Sequence, residues 1–177
     1  MSINAMMQRL ESLAIPAHED RAALARLRRA QKPEGYVEAY RYIMEYVEGA
    51  DKKQLDAYIL VASLFGHNPR NSNERYRNIG NVCREIADTP VDDASERRFL
   101  ALLQADRPEL KVGLYRMAKM ADRKGLAINY TQLFWDIENW DDPKGNVQKQ
   151  WAGSFYPPEK NTSVAEAAAD DIATKED

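Results

Sequence analysis

The sequence predicts an all-α protein, a compact helical bundle of about eight or nine helices in two associated halves. Three observations carry that expectation. Nine segments repeat apolar residues at i, i+3, i+4 and i+7 or nearly so, the period of a helix with one buried side. Glycine is scarce, with 8 in 177 residues, and the Gly, Pro and Asn clusters fall between those segments. Strand signal is almost absent.

Taken in order, helices are expected over 3–13, 19–30, 35–47, 52–65, 74–87, 95–104, 107–123, 129–140 and 143–156. The second carries Ala23, Leu24 and Leu27 as an apolar stripe among Arg21, Arg26, Arg28, Arg29 and Lys32. HNPRNSN breaks the chain before the fifth helix, and DTPVDDA before the sixth. The second break, near mid-chain, divides an N-terminal helical half (1–90) from a C-terminal helical bundle (91–156). Ser95 reads as the N-cap of the sixth helix, which puts Arg97 and Arg98 in its first turn. Cations there oppose the macrodipole, so they require acidic neighbours such as Asp92, Asp93 and Glu96, or an outside anion. In the seventh, at about 100° per residue, Leu110, Leu114, Met117 and Ala121 share one side and Arg116, Lys119 and Arg123 the other. Asp141, Asp142, Pro143 and Gly145 make a turn between the last two helices. Spacing and size assign Phe99, Leu103, Leu114, Met117, Leu133, Phe134, Trp140, Trp151 and Phe155 to the C-terminal core.

Composition narrows the function classes. At 44% hydrophobic and 30% charged, the chain belongs with soluble globular proteins. No apolar run approaches the roughly 18 residues a membrane helix needs. The opening MSINAMMQRLESL does not read as a secretory signal, and the single cysteine, Cys83, fits a reducing compartment, so a cytoplasmic location is expected. Cys83 itself is expected to pack as a small inert hydrophobe.

The net charge of −3 is unevenly spread. Residues 157–177 hold six carboxylates against two lysines, leaving 23 basic and 22 acidic side chains in residues 1–156. That tail opens on Pro157 and Pro158 and has little to bury, so it is expected to be disordered and acidic. The body concentrates cations on helix faces instead. Arg28 and Arg29 sit on the second helix, Arg77 and Arg84 around the fifth, Arg98 on the sixth, and Arg107, Arg116, Lys119 and Arg123 on the seventh. A guanidinium fork suits phosphate, so these nine are the candidate nucleic-acid contacts. Tyr36, Tyr40, Tyr76 and Tyr115 could supply stacking surfaces, but aromatics at helical spacing are more often core, and core packing is the favoured reading for each.

The segments ERRFLALLQADRPEL and LYRMAKMADRKGLAINYTQLFWDIENWDDPKGNVQKQWAGSFY, with RAALARLRRA and LVASLFGHNPRNS upstream, resemble the CasB small-subunit family of type I-E CRISPR Cascade complexes. The likeness covers most of residues 20–156. Its most specific parts are ERRF with the following ADR, and WDDP with the later W-x-x-x-F-Y. HNP stands where the family often has a tighter HP, and the acidic tail has no counterpart. The resemblance implies an all-helical, non-catalytic subunit, present as a pair of copies, that contacts the large subunit and the backbone subunits. It further implies binding to target DNA, including the displaced strand, around a guide RNA met only indirectly, so that the R-loop is stabilised.

Two other classes compete. Asp136, Glu138, Asp141 and Asp142 offer carboxylates for a metal nuclease, but Asp136 and Glu138 diverge by about 200° on one helix. No catalytic residue, metal or cofactor is therefore assigned. A helical adaptor whose basic faces meet other protein subunits fits the same arginines.

Overall fold

Ten successive residues, Ala57 to Gly66, are buried on every side in the computed structural model, which describes residues 2–87 and 92–157. They form most of helix α4 (Lys52–His67), whose AYILVASLFG run leaves no wet face. A capping box starts it: the Asp51 carboxylate accepts from Gln54 N and the Gln54 side chain accepts from Asp51 N. Helices α1 (Ile3–Ser12), α2 (Arg21–Arg29), α3 (Tyr36–Ile43), α7 (Arg107–Arg123) and α8 (Tyr130–Glu138) pack around it. The remaining helices, α5 (Ile79–Ala87), α6 (Asp93–Gln104) and α9 (Asn146–Phe155), pack on one another, and α7 reaches both groups.

The all-α expectation holds. Among the described residues nine helices account for the fold, and strand structure is limited to a single bridge between Asn71 and Ile128. The boundary expected near residue 90 falls at 88–91, outside the described residues. Across it α5 packs on α6, α7 and α9, while α8 packs on α1 and α4. The disordered tail expected from 157 onward also lies outside the described residues, apart from Pro157.

Two helix starts differ from expectation. Helix α6 begins at Asp93, capped by Asp92 rather than Ser95. The Asp92 carboxylate accepts from Ala94 N and Ser95 N, both at 2.9 Å, and from the Ser95 hydroxyl at 2.6 Å. A charged acceptor at the positive end of the dipole outcompetes a neutral hydroxyl. Arg97 and Arg98 consequently lie in the second turn, and the conflict with the dipole disappears. Helix α5 begins at Ile79, five residues later than expected. There the Asn78 side chain accepts from Gly80 N at 2.8 Å and donates to Ser154 Oγ, diverting the backbone from a longer helix.

The C-terminal core closes around Trp151. Its indole N–H donates to Asp136 at 2.7 Å, and Gln132 donates to the other carboxylate oxygen at 2.8 Å. Burial pushes the Asp136 carboxyl up, while these two donors pull it down. Gly80 lets α5 approach α9, since a Cβ there would stand 2.0 Å from the Trp151 carbonyl oxygen. Of the nine expected core residues, eight are buried and Leu103 is half-buried. Leu102 takes the inner position because Gly113 on α7 leaves room for its methyl group.

Replacing Trp151 by Ala is expected to cost roughly 3 to 5 kcal/mol, from the lost aromatic burial and the cavity left behind. Urea denaturation checks this, and an unchanged midpoint would contradict a core role for Trp151.

Candidate nucleic-acid interface

The nine candidate cations separate by what their donors meet. Arg77, Arg84 and Arg107 face inward. Arg77 is 11% exposed, pairs through both terminal nitrogens with Glu85 at 2.6 and 2.7 Å, and donates from Nε to the Ala127 carbonyl. Arg84 donates to the Phe155 carbonyl at 3.2 Å. Arg107 holds Asp141 at 2.5 Å and the Ile137 carbonyl at 3.1 Å. All three tie sequence-distant parts of the fold together.

The other six are exposed. Arg28 donates from Nε to the Gly66 carbonyl at 2.6 Å, and Arg29 pairs with both oxygens of Glu38. Arg98 reaches only Ser95 Oγ, at 3.4 Å. Arg116, Lys119 and Arg123 line the outer side of α7, and no described carboxylate pairs with any of them.

His67, the last residue of α4, connects these groups. Its Nε2 is buried without a hydrogen-bond partner among the described residues, and its ring stands edge-on to Tyr115 at 5.5 Å. Burial first, then Lys119 and Arg28, lower its pKa to about 4 against an opposing pull from Asp122. One cation comes from the N-terminal half and the other from α7, and both bear on one ring. Arg28 of α2 and Lys119 of α7 thus both lie within electrostatic reach of the end of α4.

Beside Arg116, Lys119 and Arg123, helices α5, α6 and α7 enclose a groove of about 910 Å³. Phe99, Leu102, Val112, Met117 and Met120 make its floor, and Arg98, Arg116, Lys119 and Arg123 its rim, with Glu109 also in the lining. Periodicity within single helices cannot reveal this groove, because three elements build it. Cys83 also lines it, and burial pushes its thiol up to about 12, which suits an inert side chain. Of the candidate stacking tyrosines, Tyr115 is buried and hydrogen-bonded to Ser63, whereas Tyr76 is exposed with Arg75 over its ring at 5.6 Å.

The carboxylates of WDIENWDDPKGN do not converge. Asp136 is buried against Trp151, Asp141 pairs with Arg107, and Asp142 accepts from Lys144 N and Asn146 in the turn. Among the described residues no cluster of three His, Cys, Asp or Glu side chains has metal-binding geometry, and no helix is long and apolar enough to cross a membrane.

The family model for CRISPR-associated protein Cse2 matches residues 20–156. The chain belongs to the Cse2 family. It is 30% identical over 141 residues to a CRISPR-associated protein Cse2 of Thermus thermophilus, covering 76% of this chain and 79% of that one. The crystal structure of CasB from Thermus thermophilus superposes with a TM-score of 0.72 at 27% identity, over 89% of this chain and all of the other. A chain of a CRISPR RNA-guided surveillance complex shares the fold, with a TM-score of 0.67 at 21% identity, over 86% and 89% of the two chains. The resemblance to CasB drawn from ERRF, ADR and WDDP is thereby established, and the Cse2 match ends just before the acidic tail.

Because the fold keeps His67 neutral to about pH 4 while the unfolded chain takes up a proton near 6.5, the unfolded state binds more protons between those values. The contribution of His67 to stability is complete above pH 6.5 and is lost as pH falls toward 4. Denaturation of the parent and a His67→Gln variant across that window is expected to show a steeper loss in the parent; parallel curves would refute it.

Proposed function

We propose that the protein is the non-catalytic small subunit of a type I-E CRISPR RNA-guided surveillance complex, Cascade. In this reading its cationic track grips the backbone of target DNA, including the displaced strand, and so stabilises the R-loop. Membership of the Cse2 family supports the assembly, as does the fold shared with a chain of a surveillance complex. The observation that supports the DNA contact is the exposure of Arg28, Arg29, Arg98, Arg116, Lys119 and Arg123, the last four lining one groove and Arg28 and Lys119 both acting on His67. On α7, Arg116, Lys119 and Arg123 have no ion-paired carboxylate among the described residues, and such cations suit a polyanion that is held and not read, since phosphate contacts give affinity and register but carry no base information. Guide pairing supplies the sequence reading in such complexes. The large subunit, the backbone subunits and a second copy of this chain are the protein partners of this proposal, and guide RNA is met only through them.

One observation favours the adaptor reading for part of the surface. The groove floor is apolar, and a bare phosphate backbone leaves such a floor unfilled. Protein contacts at the groove and DNA contacts along the rim are compatible, because the cations border the apolar strip and do not cover it.

Reversing Arg116, Lys119 and Arg123 together to Glu is expected to preserve the helical circular dichroism spectrum and weaken DNA retention by the assembled complex equally for all guide-matched targets. Each lost phosphate contact should reduce the slope of log K against log salt by about 0.7 to 0.9, so three contacts reduce it by about 2 to 3. Unaltered affinity and slope in a complex of native composition would remove α7 from the DNA path. Failure of the complex to take up the variant would instead favour the adaptor reading.

A further inference from the structure

Helix α9 ends with two aromatic side chains on α6. The Phe155 ring stacks on Phe99 with centroids 4.0 Å apart, and the Tyr156 hydroxyl donates to Glu96 at 2.6 Å. Phe99 is also part of the groove. The described chain thus stops at Pro157 one residue after a contact with α6, a helix that lines the groove, with residues 158–177 still to follow.

Those residues complement the groove in both respects. They carry six carboxylates against two lysines, and the rim cations Arg98, Arg116, Lys119 and Arg123 have no ion-paired carboxylate among the described residues. Val164, Ala168 and Ile172 recur every four positions, and Ser163 stands three residues before Glu166. That is the sequence pattern of an amphipathic segment with a capping box. Reach is ample: twenty residues extend to about 66 Å, while Val112 and Arg123 lie about 17 Å apart along α7.

We propose that residues 158–177 dock in the groove between α6 and α7, with the apolar positions toward Met117 and Met120 and the carboxylates toward the rim. Docking stands on the groove and the tail alone. Its consequence for DNA rests on the proposed function: tail and phosphate compete for the same cations. Tethering makes a weak contact sufficient. At the millimolar effective concentration of a short tether, a contact of about 1 mM intrinsic strength fills the groove about half the time and lowers DNA affinity about twofold.

Methyl NMR of the full chain tests this against a chain ending at Pro157, and against a full chain carrying Glu166→Gln, Asp170→Asn and Asp171→Asn. Every buried core side chain described lies before Pro157, so the shortened chain should melt with the parent. The Met117 and Met120 methyl signals are expected to differ between full and shortened chains, independently of protein concentration. Added salt or the neutralised tail should move them toward the shortened-chain positions, and the shortened chain should retain a single-stranded oligonucleotide about twofold more tightly. Identical methyl signals would overturn the proposal. A difference that grows with protein concentration would also overturn it, assigning the groove to the tail of a second copy. Shifted methyls with unchanged oligonucleotide retention would support docking and refute the DNA track instead.

Discussion

The contact between α2 and α4 at Gly66 sets the position of everything that follows. A Cβ at residue 66 would stand 2.8 Å from Arg28 N, 2.9 Å from Leu27 Cβ and 3.1 Å from the Leu24 carbonyl oxygen, so any side chain there pushes the helices apart. Their closeness brings Arg28 onto the last turn of α4, where its Nε donates to the Gly66 carbonyl. That turn is the negative end of the helix, and a guanidinium is favoured there. Through the same contact Arg28 comes within electrostatic reach of His67, as does Lys119. A steric condition at one glycine therefore brings a cation of α2 to the end of α4, where it and Lys119 of α7 act on the same ring.

Much of this was legible in the sequence, and its limits follow the range of the forces involved. Helix positions depend on residues three and four apart, so periodicity locates nine helices and most of the core. The sign-sorted faces of α7 were visible for the same reason: Arg116, Lys119 and Arg123 share one short element with Leu114 and Met117. The fates of Arg77, Arg84 and Arg107 were not. Their partners are Glu85 and Ala127, Phe155, and Asp141 with Ile137, and most lie tens of residues away. The misplaced start of α6 has a nearer cause. Asp92, Asp93 and Ser95 all qualify as caps, and only the geometry in which one carboxylate takes two amides and a hydroxyl separates them.

The net charge of −3 misleads when read over the whole chain. Carboxylates of the body are largely engaged with the fold: Glu38, Glu85, Asp122 and Asp141 hold arginines, Asp92 and Asp51 cap helices, and Asp136 holds Trp151. What remains outward on the C-terminal half of α7 is mainly cationic: Arg116, Lys119 and Arg123. Field at a surface depends on what stands there unpaired, not on the total.

Arginine serves this fold in two ways, and the way helices end decides between them. Carbonyls in a last helical turn have no partner within the helix. Arg28 meets such a carbonyl on α4, Arg84 on α9 and Arg107 on α8. Helix α7 ends differently. Gly125 adopts φ 69°, and Gly125 N and Leu126 N turn back to the carbonyls of Asp122 and Ala121. This backbone closure satisfies the last turn without a side chain. Arg123 is left with no carbonyl to cap, and with Arg116 and Lys119 it projects from the longest helix of the fold into solvent. The glycine that ends α7 thereby closes its last turn without an arginine.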